Sequence, residues 1–394
     1  MYFQVLEKNN ECIGIYQNGA FKKGNSPYGL EGLTWSQTPH TSSESTEYAY
    51  LYCGKDLDQA CPEHLQEDWA TVRNKMEAFC RSFVLSKINL REFCYADLIP
   101  QKHINDFCEV KNDITKHVFE NYERPQNYDF LVEIDRLLTK IATKRVILDV
   151  SETLLKQPQR MQHFLKKMSN CDPYCRYNLF GTRTGRLSVR KYSFPILNLD
   201  KQIRSIVKPS NDFFLELDFN AAELRTLLSL SGEEQPDEDI HDWNMKNILT
   251  SCKTREEAKK MVFSWLYDEN KINRALGRRY KRTATIKDYW KDNVVQTCFG
   301  REMKAERKLA LNYILQSTTA DMVLRQTVKV NDILKGKRSH IAFLMHDSVV
   351  IDMSRLDTGS ILEMVETFSD TKLGKYKVNV KAGKDFGNLK DLVL

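Results

Sequence analysis

The chain lacks any run approaching the eighteen or so apolar residues that cross a bilayer, so no membrane partner is expected. Met1-Tyr2-Phe3-Gln4-Val5 lacks the basic, apolar and small-residue regions of a secretory signal, and the expected compartment is the cytoplasm. Cysteine is present but scattered. The tightest pair, Cys171 and Cys175, has no second pair at ligand spacing, which favours reduced thiols over a zinc site. Internal repeats and long low-complexity tracts are also missing, which argues against solenoids and tandem arrays.

The 394 residues suffice for two or three domains with real cores, and 28% charged residues with a negative mean hydropathy describe a soluble globular protein. A net charge of +6 says less than its distribution. Between Lys271 and Lys308 lie twelve Lys and Arg residues interleaved with Tyr280, Tyr289 and Trp290. Such a stretch suits a phosphate backbone, and on its own is equally a solvated helix face.

Residues 1–61 read as β-rich. Gln17-Asn18-Gly19-Ala20 is a hairpin-turn signal, residues 38–45 a polar loop, and Tyr48-Ala49-Tyr50-Leu51-Tyr52 a short strand. From residue 62 to about 168 the apolar positions take helical spacing, as in Phe130, Leu131, Ile134, Leu137, Leu138 and Ile141. Strand-like and helical segments then alternate, so the class is α+β with a helical middle.

Two apolar strands carry a single Asp each where a buried charge needs a neutralising partner. One reads Phe213-Phe214-Leu215-Glu216-Leu217-Asp218-Phe219. The other is Ile341 to Ile351, with His346-Asp347-Ser348 at its bend. Two such carboxylates brought together would hold Mg²⁺, which takes one or two carboxylates plus substrate phosphates. Between them Arg255, Lys259, Phe263 and Tyr267 are spaced by four. Each step advances only about 40° around a helix, so all four share one face about 18 Å long, cations at one end and aromatics at the other. A nucleoside triphosphate has the same polarity. An ordinary amphipathic helix with a basic start would look alike.

These segments resemble family A DNA polymerases, the bacterial DNA polymerase I type, over roughly residues 177–351. Thr184-Gly185-Arg186-Leu187-Ser188 matches a TGRLS element. Asp218-Phe219-Asn220-Ala221-Ala222-Glu223-Leu224-Arg225 resembles the first catalytic motif, Asp239-Ile240-His241 a DIH element, and the four-spaced stripe the fingers helix. Asn312 and Gln316 match a palm helix, and His346-Asp347 the last catalytic motif. The resemblance implies a right-hand polymerase fold: β-rich residues 1–61 of unknown role, a mostly helical thumb at 62–170, an antiparallel-sheet palm at 171–232 and 296–394, and helical fingers at 233–295.

It further implies DNA-directed addition of dNMP to a primer 3′-hydroxyl, with two Mg²⁺ ions held by Asp218, Asp347 and the Phe219 carbonyl. Arg255, Lys259 and His241 would bind the triphosphate, with Lys259 a candidate proton donor to the leaving group. Phe263 and Tyr267 would pack on the nucleotide and template base, and Glu223 would close the space beside the sugar 2′ position. Arg186, Asn312, Gln316, His346 and Lys308 would contact DNA. The implied partners are primer–template DNA and dNTPs, with replication accessory proteins as further candidates, and the expected state is a monomer.

Several positions depart from the family pattern. Ser348 stands where Glu is usual, Asp268 replaces a Gly, Ala221 a Gln and Lys308 an Arg. No Asp-x-Glu strand of a 3′–5′ exonuclease is found, since Glu133-Ile134-Asp135 has the wrong order within a helical pattern. Synthesis without proofreading is therefore expected, and the economy of the chain fits a viral enzyme acting in host cytoplasm. A polymerase with reverse transcriptase activity and a catalytically silent DNA-binding accessory protein remain the alternatives.

Overall fold

A computed structural model describes residues 3–6, 14–17, 19–23, 32–35, 37, 46–88, 93, 95–151, 158–168 and 171–393. The chain divides into two compact units, residues 1–143 and 144–394. Among the described residues no helix is long and apolar enough to cross a membrane.

In the first unit, strands Phe3–Leu6, Gly14–Gln17 and Ala20–Lys23 form an antiparallel sheet. The expected hairpin joins the last two, with Gly19 at φ +78°, a backbone region that glycine enters freely. The loop expected at residues 38–45 lies outside the described residues. Thr46–Tyr48 pairs in parallel with Gly32–Thr34. The strand expected over Tyr48–Tyr52 stops there, because Ala49–Cys53 is a helical turn closed by Gly54 at φ +62°. The physical reason is burial: Ala49, Tyr50 and Leu51 are consecutive and all buried, which a turn of helix wedged into a core allows and a two-sided strand with one wet face does not.

Helices Gln66–Leu85, Gln101–Asn121 and Tyr128–Ala142 follow, as their periodicity requires. Tyr128–Ala142 contains Glu133-Ile134-Asp135, so that segment is helical as read. Trp35 meets Phe107 edge-on with centroids 6.5 Å apart, and the Tyr128 hydroxyl accepts the Tyr48 amide at 2.9 Å.

The second unit is organised by a five-stranded antiparallel sheet. Its central strand is β1 (Phe213–Phe219), followed in the chain by helices α1 (Ala222–Leu230), α2 (Ile240–Asn247), α3 (Arg255–Tyr267) and α4 (Arg307–Ile333). Strands β2 (His340–Met345) and β3 (Ser348–Met353), helix α5 (Ile361–Ser369), and strands β4 (Val378–Gly383) and β5 (Lys390–Asp391) complete it. The strand order is β2-β3-β1-β4-β5.

Alternation along β1 explains both its faces. Leu215, Leu217 and Phe219 are buried, and the Phe219 ring stacks on Phe368 of α5 at 4.3 Å. Glu216 and Asp218 point to the other, half-buried face. Helix α4 crosses α1, where Thr226 and Thr319 hydroxyls meet at 3.1 Å. Leu224, Leu227, Val262, Trp265, Leu266, Leu276, Tyr280 and Ile314 share one apolar cluster, which fixes α1, α3 and α4 to one another.

Candidate active site

The site begins with strand register. Asp218 pairs with Ser348 of β3 on one side and with Asn379 of β4 on the other. Because Met345 pairs with Ser348, His346 and Asp347 form a two-residue turn, with His346 at φ +47°. The Phe219 amide donates to the Asp347 carbonyl at 3.4 Å, so the end of β1 and the turn of the β2–β3 hairpin are neighbours. Asn379 Nδ2 donates to Asp218 Oδ2 at 3.3 Å.

Burial, followed by the charges of Glu216 and Asp347, raises the Asp218 carboxyl to about 7. Burial also raises Asp347, against the opposing pull of Arg186 and His346. Two carboxylates resisting ionisation side by side are a donor set short of positive charge. A hard divalent cation fits it, with Asp218, Asp347 and the Phe219 carbonyl as the oxygen donors. Among the described residues no third His, Cys, Asp or Glu joins them in a metal-sized cluster. Ser348 offers no carboxylate; its hydroxyl donates to Glu216 Oε1 at 3.3 Å.

A second group joins the TGRLS loop, α1 and α3. Ala221 adopts a left-handed conformation (φ +48°) that turns the chain from β1 into α1, and Glu223 falls in the first helical turn. Its Oε1 accepts from Arg186 Nη2 at 2.5 Å and its Oε2 from the Tyr267 hydroxyl. Burial raises the Glu223 carboxyl to about 7 in spite of Arg186. Behind Arg186, Gly185 sits at φ +76°, and a Cβ there would meet the Arg301 guanidinium at 2.6 Å. Arg301 is in turn gripped by the buried Asp321 carboxylate, at 2.6 and 3.2 Å.

The third group is the start of α3. Thr254 caps that helix through the Glu257 amide at 3.2 Å, and Asp268 ends it in an extended conformation. Arg255 donates through Nε (3.1 Å) and Nη2 (2.8 Å) to Asp239, the N-cap of α2. His241 is buried, and desolvation lowers it to about 4, so its imidazole is neutral near neutral pH. The Phe263 ring lies 5.7 Å from His241 and stacks against Tyr267 at 6.1 Å. Lys259, one turn before Phe263, is half-buried and makes no ion pair among the described residues.

Of the expected residues, the structure brings Asp218, Phe219 and Asp347 together. It also joins Arg186, Glu223 and Tyr267, and groups Arg255, His241 and Phe263 around α2 and α3. Asn312 and Gln316 lie on α4, where Asn312 Oδ1 is buried with no hydrogen-bond partner among the described residues. Lys308 is exposed and paired with Glu306 at 2.8 Å, and His346 is exposed on the hairpin turn. Sequence reasoning assigned no role to Glu216, Asn220, Asp239, Arg301, Asp321 or Asn379. The DIH spacing pointed at Asp239; the partners of the others are distant in sequence and left no local signal.

The fold of the whole chain is similar to the POL domain of Pol1 from M. smegmatis, solved in complex with DNA primer-template and dNTP. The TM-score is 0.62 at 12% identity, over 98% of this chain and 95% of that one. The fold is that of a family A DNA polymerase. Curated relatives agree in sequence. The thermostable DNA polymerase I of Thermus filiformis is 26% identical over 231 residues, 46% of this chain and 28% of its own length. The DNA polymerase I of Borreliella burgdorferi is 23% identical over 247 residues, 48% of this chain and 26% of its own. The matched region thus spans about a quarter of those relatives. No family profile matches the chain. In this chain Ser348 and Glu216 lie beside Asp218 at the end of β1.

Proposed function

We propose that this chain is a DNA-directed DNA polymerase that adds dNMP to a primer 3′-hydroxyl and releases pyrophosphate. The observation that carries the reading is the β1–β3 register, which sets Asp218 opposite Ser348 and therefore beside Asp347. Asp218, Asp347 and the Phe219 carbonyl would hold two Mg²⁺ ions. Bound there, the metal supplies activation of the primer hydroxyl and charge neutralisation at the phosphates.

The remaining work falls to the chain's own side chains. Arg255 and Lys259 supply fixed positive charge for the β- and γ-phosphates, and neutral His241 supplies an N–H donor. Lys259 is the candidate proton donor to departing pyrophosphate. Phe263 and Tyr267 offer stacked rings to the nucleotide and the templating base, and Glu223 excludes a 2′-hydroxyl. Arg186, Asn312, Gln316, His346 and Lys308 face the primer–template. The division into thumb (62–170), palm (171–232 and 296–394) and fingers (233–295), monomeric action, synthesis without 3′–5′ excision and a viral origin belong to the same proposal.

The test is extension of a labelled primer on DNA templates that differ only in the first unpaired base, with each dNTP offered singly and Mg²⁺ present or absent. Metal-dependent addition of the complementary nucleotide alone supports the reading. Untemplated addition, or none, contradicts it. Removal of a mismatched 3′ nucleotide by the same preparation would contradict the absence of excision.

A further inference from the structure

Asp239 gathers more donors than an N-cap needs. Oδ1 accepts the His241 and Asp242 amides at 2.9 and 3.1 Å, the ordinary capping bonds of α2, and also Arg255 Nε at 3.1 Å. Oδ2 accepts Asn220 Nδ2 at 2.7 Å and Arg255 Nη2 at 2.8 Å. Five donors thus converge on one carboxylate from three places: the chain just beyond β1, the start of α2 and the first turn of α3. A carboxylate has about four lone-pair sites, so Asp239 has no acceptor capacity left over.

The geometry of the guanidinium gives this convergence its meaning. Arg carries five N–H groups in one plane, arranged as two forks. The Nε–Nη2 edge is taken by Asp239, leaving the Nη1–Nη2 edge with three N–H groups. Among the described residues only Glu256 engages that edge, at 3.1 Å from Nη1, with a side chain 67% exposed. An exposed pair of this kind contributes little and gives way to a better anion. A phosphate accepts two parallel N–H bonds from such a fork.

Asn220 extends the frame toward the metal-binding strand. It follows Phe219 directly, and its Oδ1 accepts the Ile240 amide at 3.2 Å and Arg225 Nη2 at 3.0 Å. Asp239 therefore sits in one hydrogen-bonded frame with the end of β1.

We infer that Asp239 is a positioning residue for the nucleotide: it grips Arg255 by one edge so that the other edge forks onto a triphosphate, and through Asn220 it keeps that fork in register with Asp218. This rests on the polymerase reading. Asp239 does not itself touch the nucleotide, and it acts on binding more than on the chemical step.

The experiment compares wild type, Asp239→Asn, Arg255→Ala and the double variant. It measures dNTP KM and kcat in single-nucleotide extension and dNTP Kd by calorimetry. Asn is as good an N-cap as Asp, so α2 keeps its start while the charge and one acceptor oxygen are lost. Should that variant melt early, Asp239→Ser, also a good cap, takes its place.

The expected result is a rise of about tenfold to a hundredfold in KM and Kd for Asp239→Asn, the range of one charge-assisted hydrogen bond, with kcat changed far less. In the Arg255→Ala background the same substitution should change neither. A folded Asp239→Asn with wild-type KM and Kd overturns the inference and leaves the polymerase reading standing, as does an equal effect in both backgrounds. A wild type that binds dNTP without extending a primer contradicts the polymerase reading, while the Kd comparison still decides the role of Asp239. A wild type that binds no dNTP overturns both.

Discussion

Ser348 lies directly opposite Asp218 in the β1–β3 ladder, and its hydroxyl donates to Glu216, the carboxylate two residues before Asp218 on the same face of the strand. Glu216 thus sets a negative charge beside Asp218 from within β1 itself. Lys381 pairs with Glu216 only loosely, at 3.9 Å. The like charge of Glu216 adds to burial in raising Asp218 to about 7.

This gives a pH dependence with a definite sign. The folded value of Asp218 lies above its ordinary value of 3.8, so its contribution to stability is full below that value and is lost as pH rises through about 7. Asp218→Asn cannot ionise and escapes the loss. In metal-free buffer the melting temperature of Asp218→Asn should exceed that of wild type by a margin that widens between about pH 5 and pH 8. Adding Mg²⁺ near pH 8 should narrow the margin by stabilising wild type alone. Parallel melting curves across that range would contradict the electrostatic account.

Glu223 holds two partners at once, Arg186 and Tyr267, and closes the space between the TGRLS loop and α3. Glu223→Ala should raise ribonucleotide incorporation relative to deoxyribonucleotide by at least about tenfold, the scale of discrimination for one substrate group in a packed site. Competition between rNTP and dNTP at a single template position measures this. Unchanged selectivity would remove Glu223 from that role.

Phe263 presents a bare ring between His241 and Tyr267. No hydroxyl on this ring can substitute for a missing sugar 3′-OH, so the wild type should use dideoxy terminators poorly. Phe263→Tyr should improve their use by about tenfold or more, one added hydrogen bond to the nucleotide. Terminator-to-dNTP incorporation ratios decide it, and equal use of both by wild type would contradict the assignment.

Arg225 is 1% exposed and spends its guanidinium on the Asn220 carbonyl and Oδ1 and on the carbonyls of Pro236 and Glu238. It thereby fixes the approach to Asp239. Arg225→Met keeps the length and removes the donors, leaving the buried Asn220 carbonyl unpaired, and should lower stability by about 1–3 kcal/mol. Denaturant unfolding measures the loss. A change below about 1 kcal/mol would mean that water satisfies those carbonyls.

What could be read from the sequence follows from the range of the forces involved. The four-residue spacing of Arg255, Lys259, Phe263 and Tyr267 is a local property, and α3 carries it as drawn. The β1 and β2–β3 strands were legible because apolar runs with one interrupting Asp leave few other conformations. Tyr48–Tyr52 misled because its alternation of Tyr with smaller residues mimics a strand, while Gly54 closes a helical turn just beyond it. The bonds of Asp239 to Asn220 and Arg255 span 19 and 16 residues and depend on how α2 packs, which no local pattern encodes. Ser348 was visible as a departure, but its bond to Glu216, 132 residues away, required the sheet register.

The most direct measurement is single-turnover extension of a primer on a DNA template in Mg²⁺, comparing wild type with Asp347→Asn at matched primer–template binding. The account predicts template-directed addition by wild type and its loss in the variant, with DNA binding intact. Undiminished extension by Asp347→Asn, or tight DNA binding by a wild type that extends nothing, would contradict it.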